Sequence, residues 1–234
     1  MNIVVLNRSD WRDEQHVCLV DRRADHIRSV LRAAVGDSVR VGELNGDLGQ
    51  GRICAIDADS VVLAVELNQP PPPRHRFDVV LALPRPKVLR RLLRTVAEFG
   101  VANLHLINTA RVEKSYWQSP LLAADKLHEA LLSGMERASD TVPPCVHQHR
   151  RFRPFVEDQL KALCAGRSCW IAQMGASLAL RNIPPGDAVV MVGPEGGFVP
   201  FELELAQTVI AQPVRLGSRT LSVDTALTTV LAQG

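Results

Sequence analysis

The sequence predicts an α/β fold preceded by a small β-rich domain. Strands and helices alternate after residue 74, short β-type runs crowd the residues before it, and four prolines, Pro70-Pro71-Pro72-Pro73, stand between. Alternating strands and helices imply a mostly parallel sheet covered on both faces. A proline run favours a stiff polyproline II spacer with no donors for a sheet. The expected division is a small domain over 1–69, a linker over 70–74 and a larger domain over 75–234.

In the small domain, runs 38–41, 51–56 and 61–65 read as strands. Asn45-Gly46 supplies a turn with positive φ between the first two. A short helix is expected from Asp25 to Ala34, with Ile27, Val30, Leu31 and Ala34 as one apolar stripe at i, i+3, i+4 and i+7. Arg28 and Arg32 then share the other side, one turn apart. A small barrel with one helix is the expected architecture.

In the larger domain, strands are expected at 77–83, 104–108, 168–172, 188–192 and 213–216. Helices are expected at 88–99, within 120–138, and from Phe198 to about Ala211. The helix at 88–99 carries Leu89, Leu92, Leu93 and Val96 on one stripe. Its other surface is cationic. Residues 85–94 hold Arg85, Lys87, Arg90, Arg91 and Arg94 and no acid, with Lys87, Arg91 and Arg94 on one face. The arginine fork suits phosphate, and clustered cations gain from counterion release, so this face reads as an RNA contact rather than a merely solvated one. Arg150-Arg151-Phe152-Arg153 is a second basic cluster, which alone reads as a surface loop.

A chain of 234 residues that is 46% hydrophobic can bury a real core, and with 4% aromatics that core leans on Leu, Val and Ala. No run approaches the roughly 20 apolar residues of a membrane span, and Met1–Leu6 is too short for a signal peptide, so a cytoplasmic location is the expectation. The five cysteines are scattered and odd in number, which argues against a disulfide framework, and none forms a C-x-x-C pair. Cys145, His147 and His149 alternate, but no further ligands stand nearby, so they read as strand or loop residues and no metal is expected. The net charge of +2 divides unevenly. Residues 1–73 hold 8 Lys+Arg against 11 Asp+Glu, and the remainder carries a net +5.

The most informative stretch is Val192-Gly193-Pro194-Glu195-Gly196-Gly197-Phe198, which ends a buried strand. Leu216-Gly217-Ser218-Arg219-Thr220-Leu221 echoes it after a second, short strand. Glycines at a strand-to-helix turn leave backbone amides open to close approach by a ligand. The first turn lacks the lysine and hydroxyl of a phosphate loop, and it is not G-x-G-x-x-G. Two such turns within the last 45 residues predict one pocket built from loops.

These residues resemble the RsmE-type 16S ribosomal RNA (uracil-N3)-methyltransferases of the SPOUT superfamily. The resemblance runs through Asp25-His26-Ile27, Val30-Leu31-Arg32, Gly36-Asp37-Ser38-Val39, Lys87, Glu98-Phe99-Gly100-Val101, Arg111, Lys114, Glu136-Arg137-Ala138 and Val142-Pro143. It is most specific at Val192–Phe198 with Glu202, and at Leu216-Gly217-x-Arg219-x-Leu221 followed by Thr225-Ala226-Leu227. It implies a SPOUT-type domain with a C-terminal trefoil knot, a PUA-like RNA-binding barrel before it, and a homodimer through the knot region. It further implies S-adenosylmethionine as cofactor, held at Val192, Gly193, Gly196, Gly197, Leu216, Gly217, Leu221 and Thr225. The partner it implies is 16S ribosomal RNA or the small subunit, with Arg28, Arg32, Lys87, Arg91, Arg94, Arg111 and Lys114 as RNA contacts. The chain departs from the pattern at Ser222 and Asp224, where the family usually has arginine and glutamate.

N3 of uracil is a poor nucleophile until its proton is removed. A carboxylate can accept that proton, and a guanidinium can stabilise charge on the ring oxygens. Asp224 and Arg219 are the residue types required, and their alternative is a structural pair bracing the loop. A catalytically weak RNA-binding paralogue is the second reading, kept open by Ser222. A metabolic α/β enzyme with a small nucleotide ligand is a third.

Overall fold

The computed structural model describes residues 1–234, whose contacts divide into two units, 1–73 with 132–143 and 74–131 with 144–234.

The first unit contains β1 (Val4–Leu6), β2 (His16–Leu19), α1 (Arg22–Asp25), β3 (Ser38–Glu43), β4 (Leu48–Ile56) and β5 (Val61–Gln69). Their sheet order is β1-β3-β4-β5-β2, with β1 parallel to β3 and the other pairs antiparallel. The ladder is open, with β1 and β2 as its edges. Alternation sets its faces. Val39, Val41 and Ile53 turn into a core with Leu6, Leu19, Ile27 and Leu63, while Arg40, Gln50 and Arg52 turn outward. Asn45 takes φ 63° in the β3–β4 turn.

The helix here departs from the sequence expectation. It begins at Arg22, capped by the Asp21 side chain, and α1 runs into a π-helical stretch, His26–Leu31. Wider π turns break the i, i+3, i+4 register, so Ile27 is buried while Val30 and Leu31 are exposed. Arg32 ends the stretch in the left-handed region, φ 52°, and does not continue the face of Arg28. The start is fixed by charge. Buried Arg23 pairs with Asp10 at 2.6 Å and Asp21 at 2.8 Å. Residues 132–143 return to this unit through Glu136, whose carboxylate meets Arg22 at 2.6 Å and whose carbonyl accepts the Asn2 amide at 2.7 Å.

The second unit contains β6 (Phe77–Ala82), α2 (Pro86–Glu98), β7 (Asn103–Ile107), the start of α3 (Ala124–Ala138), β8 (Cys145–His149), α4 (Phe152–Pro154), α5 (Lys161–Cys164), β9 (Ser168–Ala172), β10 (Ala188–Val192), α6 (Pro200–Val209), β11 (Gln212–Val214) and α7 (Val223–Leu231). A π-helical stretch, Phe155–Leu160, joins α4 to α5. The six strands form an all-parallel sheet in the order β11-β9-β10-β6-β7-β8. β6 and β10 are buried along their whole length, as central strands of a doubly covered sheet must be. On α2, Leu89, Leu92, Leu93 and Val96 are buried, while Lys87, Arg90 and Arg91 are exposed.

Three histidines stack where β7 meets β8. His105 Nδ1 lies 3.1 Å from His149 Nε2, and the His105 and His147 rings stack at 4.4 Å. Burial, together with these two neighbours, pushes the His105 imidazole down to about 3, so it stays neutral. Cys145, at the start of β8, is exposed and outside this stack.

Candidate functional site

Three adjacent parallel strands, β11, β9 and β10, end on the same side of the sheet. The loops that leave them enclose a cavity of about 490 Å³. Loops at the carboxyl ends of parallel strands are where open α/β sheets bind ligands. The walls come from Ala172–Met174 after β9, Val192–Phe198 after β10 and Leu216–Leu221 after β11, with Leu203 of α6 and Val223 and Ala226 of α7 behind them.

Each loop is held by named contacts. In the Gly-Pro-Glu-Gly-Gly turn, the Gly197 amide donates to the Pro194 carbonyl at 2.8 Å, and Gly197 takes φ 71°, a conformation glycine adopts without strain. Buried Glu202 fixes the turn to α6. Its carboxylate accepts from the Val199 amide at 3.0 Å and from the Ala110 amide at 2.7 Å. Arg111 follows directly and donates to the carbonyls of Gly196 and Gly197. A side chain at Gly196 would bring its Cβ within 2.9 Å of Arg111 Cδ. On the other side, Arg215 donates to the carbonyls of Ala176, at 2.9 Å, and Ser177, tying the loop after β9 to the end of β11. At Gly217 no heavy atom lies within 4 Å of where a Cβ would stand.

Val192, Gly193, Gly196, Gly197, Leu216, Gly217 and Leu221 all line the cavity, as does Arg219. Arg219 and Glu195 are the one base and the one acid in the lining. Thr225 and Asp224 lie in the first turn of α7, outside the lining. Asp224 is not paired with Arg219. It meets Arg91 of α2 at 2.8 Å and accepts from the Ser222 hydroxyl at 2.5 Å, while that hydroxyl also lies 3.0 Å from Thr225 Oγ1. The Ser222 hydrogen bond, helped by the Arg91 charge, holds the Asp224 carboxyl below the usual aspartate range.

The other predicted cations are spread through both units. Lys87 is exposed on α2, Arg94 is half-buried there, and Lys114 is exposed at the start of a 3₁₀ turn, Lys114–Gln118. Arg28 is engaged within the first unit by Asp25 at 2.5 Å and by the Asp57 carbonyl at 3.0 Å. Arg32 is exposed. Arg111 serves the glycine turn, as described. The resemblance also points to the loop 173–177 after β9, which lacks the His or Glu often found there, and Gln173 and Met174 do line the cavity, whereas the sequence reading missed Arg215. Arg215 carries no local signal, because it acts only through strands brought together by topology.

Residues 70–233 match the family model for the RNA methyltransferase domain. The chain is 30% identical to the ribosomal RNA small subunit methyltransferase E of Treponema pallidum, over 97% of this chain and 87% of that protein. It is 28% identical to the protein of the same name from Synechocystis sp., over 94% of this chain and 73% of the other. Among solved structures it is similar to the ribosomal RNA small subunit methyltransferase E of Neisseria gonorrhoeae bound to S-adenosyl methionine. That similarity has a TM-score of 0.75 and 19% identity, covering 99% of this chain and 95% of that one.

Proposed function

Because this chain belongs to the RNA methyltransferase domain family, among the RsmE-type ribosomal RNA methyltransferases, we propose that it methylates N3 of a uridine in 16S ribosomal RNA of the small subunit. Its cofactor is S-adenosylmethionine. The observation that carries the reading is the cavity at the ends of β9, β10 and β11, where the two glycine-bearing loops meet.

The cavity suits that cofactor. Its volume falls in the range of about 300–1,000 Å³ usual for small-molecule sites, and it has apolar walls and few charges. The open space at Gly217 leaves backbone accessible, as close approach requires. Val192, Gly193, Gly196, Gly197, Leu216, Gly217 and Leu221 would hold the cofactor, with Thr225 bracing the loop through Ser222. When bound, it supplies an electrophilic methyl group on a sulfonium.

The chain's own residues then prepare the uracil. Asp224, kept ionised by Ser222 and Arg91, accepts the N3 proton directly or through one water. Arg219, on the cavity wall, stabilises charge developing on a ring oxygen. Lys87 and Arg90 make no ion pair and offer their charge to phosphate, with Arg91 and Arg94 completing that face of α2, Lys114 adding a cation from its 3₁₀ turn, and Arg28 and Arg32 adding contacts from the first unit. Arg111 acts through the glycine turn.

The same reading includes a C-terminal trefoil knot of the SPOUT type and a homodimer through the knot region. It also includes a PUA-like domain over 1–69, a linker over 70–74, a methyltransferase domain over 75–234 and a cytoplasmic location. No helix is long and apolar enough to cross a membrane.

Calorimetric titration with S-adenosylmethionine tests the cavity assignment. Wild type binds, and Gly217→Val, whose side chain would project into the open space, binds at least about 10-fold more weakly at an unchanged melting temperature. Equal affinity in the two proteins would overturn the assignment.

A further inference from the structure

A second cavity, of about 420 Å³, lies in the first unit, away from every residue assigned above. β3, β4, the end of β5, two of the prolines that follow it, and Ala138–Ser139 build its walls. Strand register explains what faces it. Arg40 of β3 stands opposite Gln50 of β4, both on the outward face. The β4–β5 pairing jumps from Gly49↔Leu67 to Leu48↔Gln69, so Asn68 is an extra residue. Such a bulge re-aims the side chain beside it, here Gln69. Gly49, also in the lining, is glycine because the β5 backbone passes close, and a Cβ there would fall 1.8 Å from the Glu66 carbonyl oxygen.

Arg40, Gln50 and Gln69 thus meet at one cavity, and none of the three side chains has a protein partner. The remaining wall mixes the apolar Ile3, Val41, Leu48, Pro70, Pro72 and Ala138 with Gly49 and Ser139. An unpaired guanidinium beside two unpaired amides and apolar side chains matches the groups of a nucleotide. The guanidinium fork fits a phosphate. Each amide offers a donor and an acceptor to a base edge. Unpaired RNA presents base faces and edges that a duplex hides.

We propose that this cavity binds one unpaired nucleotide of the substrate RNA, with its phosphate on Arg40 and its base edge on Gln50 and Gln69. The choice of RNA rests on the reading of the chain as a ribosomal RNA methyltransferase. The surroundings orient the nucleotide. Arg52, the diagonal neighbour of Arg40 about 7–8 Å away by sheet geometry, adds a second cation on the outward face. Glu66, opposite Gln50 on β5, repels phosphate from that side.

The test is fluorescence anisotropy of a labelled single-stranded RNA of about ten nucleotides with the full chain, at several salt concentrations. Arg40→Gln is expected to bind roughly 10-fold more weakly and to lower the salt slope by about 0.7, the value for one single-strand phosphate contact. Gln69→Ala is expected to weaken binding about 3-fold at unchanged slope. Both changes are exposed, and the melting temperature checks that the fold persists. Wild-type affinity and slope in both variants would overturn the inference. Methyl transfer to small subunits by wild type is measured alongside. If wild type transfers methyl but the variants bind RNA normally, the nucleotide site alone fails. If wild type transfers none, the reading of the enzyme fails, whatever the binding data show.

Discussion

Asp224 stands between two tasks, and its contacts say which side it favours. A general base near neutral pH works best with a raised pKa, whereas Ser222 and Arg91 hold this one low. The carboxylate is therefore charged throughout the working range, and in the proposed reaction its strength as a base depends on what those partners do when RNA binds. Arg91 is exposed and also lies on the cationic face of α2, so a phosphate that engages it would weaken its hold on Asp224. The Ser222 hydroxyl is a working contact, so Ser222→Arg would remove a hydrogen bond as well as add a charge. Carbon-13 NMR titration is expected to place the wild-type Asp224 midpoint below the ordinary aspartate value. Ser222→Ala and Arg91→Gln should each move it upward, because each removes a partner of the charged form. In turnover, Asp224→Asn should lower kcat by about 10²-fold or more at saturating RNA. Full activity in that variant would take Asp224 out of the reaction.

At the scale of elements, the cavity depends on loops fixed by buried or bridging side chains. Glu202 satisfies two backbone amides from different loops, Val199 and Ala110, with one carboxylate. Glu202→Leu would leave both donors without that partner, at about 1–3 kcal/mol each. Chemical denaturation should therefore find the variant destabilised by roughly 2–5 kcal/mol, with weaker cofactor binding. A loss under 1 kcal/mol would show that the loops are held by other means. Five of the six strands of the second unit are legible because their apolar runs are short and bounded by turn residues, and 168–172 and 188–192 match the observed strands residue for residue, while β8, half polar, reads only as strand or loop. The glycine turns were legible because glycine marks where backbone must stay bare. Two things were hidden. The π-helical stretch at His26–Leu31 has an apolar spacing that imitates an α-helical stripe, so the sequence groups Val30 and Leu31 with Ile27, though only Ile27 is buried. β1 and β2 are too short, at 3 and 4 residues, to show a period of their own.

At the scale of the whole chain, linear reading meets its limit at residues 132–143. The prolines at 70–73 mark one boundary well, but Leu132–Pro143 returns to the first unit through Glu136 and Thr141, and no composition shift announces it. The pairing of Asp224 with Arg91 is hidden for the same reason, since 133 residues separate the partners and only the folded sheet unites α2 with α7. What is legible at this scale is the alternation of most strands and helices and the position of the glycine-bearing loops near the end of the chain. Methyl transfer to uracil N3 is tested with small subunits from cells lacking the modification. These are incubated with the protein and methyl-labelled S-adenosylmethionine, and the 16S RNA is digested to nucleosides. Label is expected in 3-methyluridine, at one site, and lost in Asp224→Asn. Label in another nucleoside, or none above background while the protein binds the cofactor, would contradict transfer to N3.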